Sequence, residues 1–581
     1  MTPVVFDNCR GWLHEGSSSR GVVICGAHGF EDLCARSSLR LLAEEISGRG
    51  VSVLRFDWRG TADSEGDSEA PHRVADWLGN IGEAARTLVE KTGVSEIVLV
   101  GIRLGALLAL EAARDIAPVR LVLLAPPASG KALGREIEVM SRIFQNKPGA
   151  MEDKDFDGVS SAGFRIARET LNDLALVGSR RFSGAASGKV LLLTQTADGS
   201  PLSDKMRDAG GDVTSEVFEG YAEMMCDPTA ALPPVAAIRR ITDFVCEGAV
   251  LPVGANAASR AVPSFARGDG LLRRSSARDD GVLATDTWRE TAAQFGPDNR
   301  LVGIFCERAE GERRNRAVIF LNSGGVYHIG WARMFVDMAR QLAGSGVASL
   351  RMDLRGVGDS LSPAGIDRAP LYDANLREDV EAAVDWLFDR GISDVSLFGA
   401  CSGAYQAFHA AIEDRRVRKI ALVNAGCFVY GAAQALQIEA WRRTKAADIA
   451  MKLASAEGET HAPGARALLF QLAKKLAKAG IAQASEATFA FRRAVPGFNS
   501  VERWFTELSS RGAQVLLVYS ENDPGLAELE RHLGAKGKRD APLPGIVKTL
   551  IPAADHELTP QSARAALGAA LGAFVSTDRA A

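Results

Sequence analysis

The chain has 581 residues, too many for one hydrophobic core, and its length points to two to four domains. With 46% hydrophobic residues, 24% charged residues and a formal net charge of -4, it has the balance of an ordinary folded protein and lacks the positive excess typical of nucleic-acid binding. The start, Met1-Thr2-Pro3-Val4-Val5, has no basic and apolar signal segment, and no apolar run approaches the ~18 residues of a membrane span, which predicts a cytoplasmic protein. The eight cysteines, at 9, 25, 34, 226, 246, 306, 401 and 427, form no C-x-x-C pair, so neither a zinc site nor a disulfide framework is expected.

Taken in order, residues 1–246 alternate short apolar runs with amphipathic stretches, the pattern of a mostly parallel sheet covered on both faces. The runs Val22-Val23-Ile24-Cys25, Val51-Ser52-Val53-Leu54, Ile97-Val98-Leu99-Val100, Leu121-Val122-Leu123-Leu124 and Val190-Leu191-Leu192-Leu193 read as strands, and residues 39–46 as helix. Residues 247–286 shift to Gly, Ala, Ser, Pro and Arg without a period and read as a linker. Beyond it, residues 288–295 and 301–306 read as two strands joined by the turn Gly296-Pro297-Asp298-Asn299, and the α/β alternation resumes through residues 287–581.

This second half repeats the first. Arg55-Phe56-Asp57-Trp58-Arg59-Gly60 with Asp63-Ser64 returns, at an offset of about 296, as Arg351-Met352-Asp353-Leu354-Arg355-Gly356 with Asp359-Ser360. Because Asp353, Arg355, Asp359 and Ser360 recur, they read as a structural turn. The pentad Gly101-Ile102-Arg103-Leu104-Gly105 returns as Gly399-Ala400-Cys401-Ser402-Gly403, each between an apolar run and a helical stretch. A G-x-nucleophile-x-G pentad at a strand-to-helix junction is a nucleophile elbow, whose glycines let strand and helix backbones approach closely. A larger offset of about 325 between Asp198 and Asp523 places some 27 extra residues in the second copy, within a helical lid predicted at about 431–504. Its basic excess, with Arg442, Arg443, Lys474 and Lys475 among others, fits either attraction of an anionic acyl carrier or a solvated helix face.

These motifs resemble α/β-hydrolases in tandem. The first half is similar to one class of exosortase-associated hydrolases in His28-Gly29-Phe30, Phe56-Asp57-Trp58-Arg59-Gly60 and Gly163-Phe164-Arg165-Ile166. The second is similar to the other class in Asn322-Ser323-Gly324-Gly325-Val326-Tyr327-His328-Ile329-Gly330 and in its pentad. The resemblance implies two doubly wound, mostly parallel sheets, the second with a lid.

In this family the chain order is nucleophile, acid, histidine. Cys401, Asp523 and His556 fall in that order, with Asp523 on the loop after Val515-Leu516-Leu517-Val518-Tyr519 and His556 just before the last amphipathic stretch. Asp555 is the rival acid, but it adjoins the histidine it would have to orient. The backbone N–H of Ser402 and that of Val326 are the expected oxyanion donors. Gly325, Tyr327 and His328 are expected to line the pocket, His328 having a surface position as its alternative. In the first half the corresponding places hold Arg103, Asp198 and Glu223. Arginine cannot act as the nucleophile, so this domain is expected to be vestigial, with Arg103 and Glu223, alone or together with Asp198, forming a buried ion pair.

The expected function is cleavage of an ester or thioester on a small-molecule or carrier-bound acyl substrate through an acyl-cysteine, with no metal or organic cofactor. Transfer of the acyl group to an alcohol, amine or thiol is the alternative, as in polyhydroxyalkanoate synthases, which also use a cysteine elbow. A non-catalytic partner in polysaccharide assembly is a third reading. The sequence leaves the acyl group, the acceptor and the oligomeric state open.

Overall fold

The computed structural model describes residues 1–145, 156–178, 188–196, 201–249, 281–311, 314–361, 371–431, 435, 500–534 and 543–577. Most of the predicted linker, Asp198 and nearly all of the predicted lid lie outside these residues.

Among the described residues the first half builds ten strands. They are β1 (Thr2–Phe6), β2 (Cys9–His14), β3 (Arg20–Cys25), β4 (Ser52–Phe56), β5 (Glu96–Ile102), β6 (Arg120–Leu124), the hairpin β7 (Gly158–Ser161) and β8 (Phe164–Ala167), β9 (Lys189–Thr194) and β10 (Val213–Val217). Eight of them form one sheet in the order β1-β2-β4-β3-β5-β6-β9-β10, parallel from β4 to β10. These strands carry near-continuous Val, Ile and Leu because helices cover both faces. Val22, Val53, Val98, Val100, Val122 and Leu191 pack on one side, and Val23, Leu54, Leu99, Leu121 and Val190 on the other.

The second half adds β11 (Val282–Ala284), β12 (Trp288–Phe295), β13 (Leu301–Arg308), β14 (Arg316–Leu321), β15 (Ala348–Asp353), β16 (Asp394–Ala400), β17 (Lys419–Val423), β18 (Gln514–Ser520) and β19 (Ile546–Ile551). Their order is β11-β12-β13-β15-β14-β16-β17-β18-β19. Without the edge strand β11 this is the first sheet again, crossover for crossover. The hairpin at 296–299 forms as expected, its turn a short 3₁₀ segment at Pro297–Asn299. The linker reading ran too far at its end. Gly281 accepts a hydrogen bond from Arg10, Val282–Ala284 pairs antiparallel with β12, and Leu283 is buried in the apolar cluster between the halves, so a sequence poor in apolar pattern is held by strand pairing and one buried side chain.

The repeated turn also joins the domains. Asp63, on the loop after β4, accepts from Arg351 Nη2 at 2.8 Å and meets His328 Nε2 at 2.6 Å. Its counterpart Asp359 accepts from Arg55 Nη1 at 2.9 Å and Arg36 Nη2 at 2.7 Å. Each domain therefore sends the same aspartate to the same arginine of the other, the exchange expected of a two-fold interface. Within each turn the local bonds also hold, with Ser64 Oγ donating to Asp57 O and Ser360 Oγ to Asp353 O. The structural-turn reading of Asp353, Asp359 and Ser360 is thus half the account, since Asp359 also crosses the seam. Arg355 stays in its own domain, on Glu378 and Asp379. Around these ions, Val5, Leu33, Ala62 and Ala162 share one apolar cluster with Phe320, Trp331, Phe335 and Leu558, so the seam is sealed by side chains from both halves.

Candidate active site

Strand β16 runs into the helix Ser402–Glu413 through Cys401, whose φ of 53° and ψ of -117° lie in a region that non-glycine residues rarely adopt. The turn is forced by close packing. A Cβ on Gly399 would meet Gly403 O at 2.1 Å, and one on Gly403 would meet Asn322 O at 2.5 Å. The Cys401 N–H donates to Val423 O at 2.9 Å, which fixes the turn over the sheet end.

His556 hydrogen-bonds the Cys401 side chain on one side and Asp523 on the other, with Nδ1 to Asp523 Oδ2 at 2.6 Å. Burial opposes charge on this ring. It is outweighed by the electrostatic influence of Cys401 and the bonds to Asp523 and Cys401, and the imidazole is held well above its ordinary range. Asp523 is buried, and its other oxygen accepts the Gly525 N–H at 2.7 Å, so its orientation is set from both sides. The three residues picked from chain order are brought together. Asp555 is engaged elsewhere, accepting from Thr559 N at 2.7 Å and pairing with Thr559 Oγ1 at 2.6 Å, and serves its own turn.

Two residues at this site were not legible beforehand. Asn424, at the end of β17, donates to His556 O at 2.8 Å and to Ser520 Oγ at 3.0 Å, and so ties the histidine loop to the acid strand. Its position just past a strand end, beside the elbow strand, was the available signal. Tyr372 hydrogen-bonds the Cys401 side chain, and burial first of all pushes its phenol far up, so it is a neutral donor beside Cys401. Its ring stacks on Tyr430 at 4.9 Å and meets Tyr405 edge-on at 5.2 Å, giving the site an aromatic wall. No motif marks Tyr372.

The expected second oxyanion donor requires correction. Val326 N–H donates to Ser323 O at 3.1 Å within its own turn, and the residue is buried in the seam cluster. In the same loop, Gly324 N–H donates to Ser402 Oγ at 3.0 Å and Gly325 N–H to Thr229 Oγ1 at 3.1 Å. Thr229 belongs to the first domain, and a Cβ on Gly325 would meet Pro228 O at 2.1 Å. The loop beside the Cys401 elbow is therefore seated against the first domain, and Gly325 faces Pro228 and Thr229.

Tyr327 and His328 are not pocket residues. Both are fully buried in the seam. The Tyr327 hydroxyl donates to Asp32 Oδ2 at 2.7 Å, and His328 stands between Asp353 Oδ2 at 2.7 Å and Asp63 Oδ2 at 2.6 Å. Burial works against charge on His328, but the two aspartates prevail and raise it to about 10. His328, Asp353 and Asp359 cluster closely enough to suggest a metal site. As an imidazolium, however, His328 has no lone pair to offer, and Asp359 already accepts from two arginines, so the donor set does not suit a cation.

The first domain's elbow is the same turn. Arg103 has φ 53° and ψ -115°, and a Cβ on Gly101 would meet Gly105 O at 2.4 Å. The predicted pairing with Glu223 does not form. Arg103 is buried, with Nε donating to Glu31 Oε1 at 2.7 Å, Nη1 to Ala125 O at 3.2 Å and Nη2 to Glu136. Glu223 is exposed, because its helix Tyr221–Met224 turns Tyr221 and Met224 inward instead.

Comparison with known proteins agrees with this division. Residues 318–570 match the model of the alpha/beta hydrolase family, and residues 17–161 match that of serine aminopeptidase, S33. No curated protein matches the chain. Among solved structures, an alpha-beta serine hydrolase homologue from Coxiella burnetii is similar at 14% identity, covering 49% of this chain and 97% of its own, with a TM-score of 0.30. Dienelactone hydrolase from Anabaena variabilis is similar at 16% identity over 50% of this chain and 97% of its own, with the same score. The chain thus carries two α/β-hydrolase domains in tandem, each half matched by a family model of that fold.

Proposed function

We propose that the second domain cleaves an ester or thioester with Cys401 as nucleophile, and that the first domain takes no chemical part. The reading rests on one observation, that His556 is hydrogen-bonded to both Cys401 and Asp523. The Cys401 thiolate attacks the carbonyl carbon, and the C=O electron pair moves to oxygen. As the first residue of its helix, Ser402 has a backbone N–H without an intrahelical partner, and this N–H receives the oxyanion at the positive end of the helix dipole. The N–H groups of Gly324, Gly325 and Val326 are all engaged, on Ser402 Oγ, Thr229 Oγ1 and Ser323 O, so the loop shapes the wall beside the oxyanion and Ser402 is the one donor assigned. When the tetrahedral species collapses, the bond to the leaving oxygen or sulfur breaks. His556 gives that atom its proton, leaving an acyl-cysteine and a neutral imidazole. His556 then takes a proton from water as the water attacks the thioester. The acid is released and the thiolate restored. Asp523 keeps the ring oriented with Nε2 toward sulfur throughout. With an alcohol, amine or thiol in place of water, the same steps transfer the acyl group.

The test is steady-state turnover of p-nitrophenyl esters and acyl thioesters by wild type and Cys401→Ala. Turnover by wild type alone is expected, and turnover surviving in Cys401→Ala would overturn the proposal.

A further inference from the structure

The first domain retains a cavity where its fold would place an active site. It has a volume of about 250 Å³, with Arg103 at its floor, His28 and Phe30 on one wall and Tyr221 on another. The helix Gly130–Gln145 closes it from above. Leu133, Ile137 and Met140 repeat at helical spacing along the face that lines the cavity. Leu133 is buried, whereas Ile137 and Met140 are half-buried, so the described residues cover this apolar face only in part.

The charges at the floor define what the cavity can hold. Among the described lining residues Arg103 is the buried cation; Glu31 binds it from one side and Glu136, an exposed residue of the helix Gly130–Gln145, from the other, so the trio carries a net negative charge. Among the described residues, a ligand carboxylate or phosphate would meet the two carboxylates on Arg103 and no further buried cation, at the cost of its own hydration. Arg135 reaches the rim but is exposed, where water and salt screen it. The remaining polar groups are neutral. Burial lowers His28 to about 4 and raises the Tyr221 phenol. Neither His28 nor Tyr221 has a side-chain hydrogen-bond partner among the described residues.

We propose that the first domain binds an uncharged, mainly apolar molecule in this cavity, an alkyl or aryl body with one neutral polar group such as an alcohol, ester or amide. The apolar body lies under Leu133, Ile137 and Met140, and the polar group faces His28 and Tyr221. A 150 Å³ apolar cavity holds benzene, so by proportion this one holds roughly ten non-hydrogen atoms. The inference does not depend on the chemistry of Cys401, because Arg103 stands at the nucleophile position here.

The experiment uses the full chain carrying Cys401→Ala, with 1-octanol and octanoate as probes at pH 8, read by titration calorimetry. Saturable binding of 1-octanol is expected, with octanoate at least ~10-fold weaker. Ile137→Trp and Met140→Trp, each filling the cavity from a half-buried position, should weaken 1-octanol at least ~10-fold. Glu136→Gln, which removes one of the two carboxylates on Arg103, should narrow the gap between octanoate and 1-octanol. Octanoate binding as tightly as 1-octanol, no saturable binding of 1-octanol, or 1-octanol binding unchanged in both folded tryptophan variants would overturn the proposal.

Discussion

Arg103 and Cys401 sit on the same turn, with φ 53° in both and ψ of -115° and -117°, followed by helices of similar length. Around Cys401 the loops after β18 and β19 deliver Asp523 and His556, whereas around Arg103 the loop after β10 delivers the inward-facing Tyr221 and leaves Glu223 exposed. The elbow geometry is therefore enforced by the glycines on either side of it, through contacts of 2.1 to 2.5 Å that leave no room for a Cβ, and does not depend on the residue it presents. Chemistry depends on what the two later loops bring to that residue. The degenerate domain still acts on the site next door, because Thr229 and the seam hold the second domain's Gly324–Gly325 loop.

The contrast breaks most completely at His556. His556→Ala should lower kcat/KM by ~10³-fold or more, while Glu223→Ala should leave it unchanged. Arg103→Cys should yield no second active site, since Glu223 stands at the histidine place and is exposed.

The seam comes next. His328→Gln leaves Asp63 and Asp353 without their shared cation and should cost about 3–5 kcal/mol in denaturant unfolding. The pH dependence has a definite sign. His328 is raised in the folded protein to about 10 from an ordinary 6.5, so its stabilisation is complete below about pH 6.5, declines as pH rises, and is gone above about pH 10. The stability gap between wild type and His328→Gln should therefore be widest at low pH and narrow toward pH 10.

A smaller effect is expected at the glycines that make the elbows alike. Gly101→Ala and Gly399→Ala should each destabilise by about 3 kcal/mol, because backbone atoms stand where the new methyl would go. Comparable losses at the two sites would show that the turn is structural in both domains, and a loss at Gly399 alone would contradict it.

The smallest effect is at the cross-domain contact. Thr229→Val should lower kcat/KM about 10-fold, the worth of one hydrogen bond of about 1.4 kcal/mol, while Thr229→Ser retains activity. Equal activity in all three proteins would remove the first domain from the account of catalysis.

The contrast also explains what the sequence could reveal. The pentads, the strand runs and the order Cys401, Asp523, His556 were legible because each depends on local periodicity or on a turn with strict steric needs. Tyr327 and His328 were misplaced because a sequence repeat describes each domain's interior and carries no sign of which faces meet. His328 looked like a pocket residue until Asp63 arrived from 265 positions away. Val326 failed for a local reason, since its N–H closes a turn that the neighbouring glycines permit but do not announce. The Arg103 pairing failed because Glu31 and Glu136 are distant in sequence and each reads as an ordinary helix-surface acid.

The most direct test of the central claim is peptide mapping by mass spectrometry after quenching wild type with a slowly hydrolysed acyl thioester. A single acyl adduct on the peptide containing Cys401, absent in Cys401→Ala and accumulating in His556→Ala only if acylation outlasts loss of the base, is the predicted result. An adduct on any other residue, or turnover by wild type with Cys401 unmodified throughout, would contradict it.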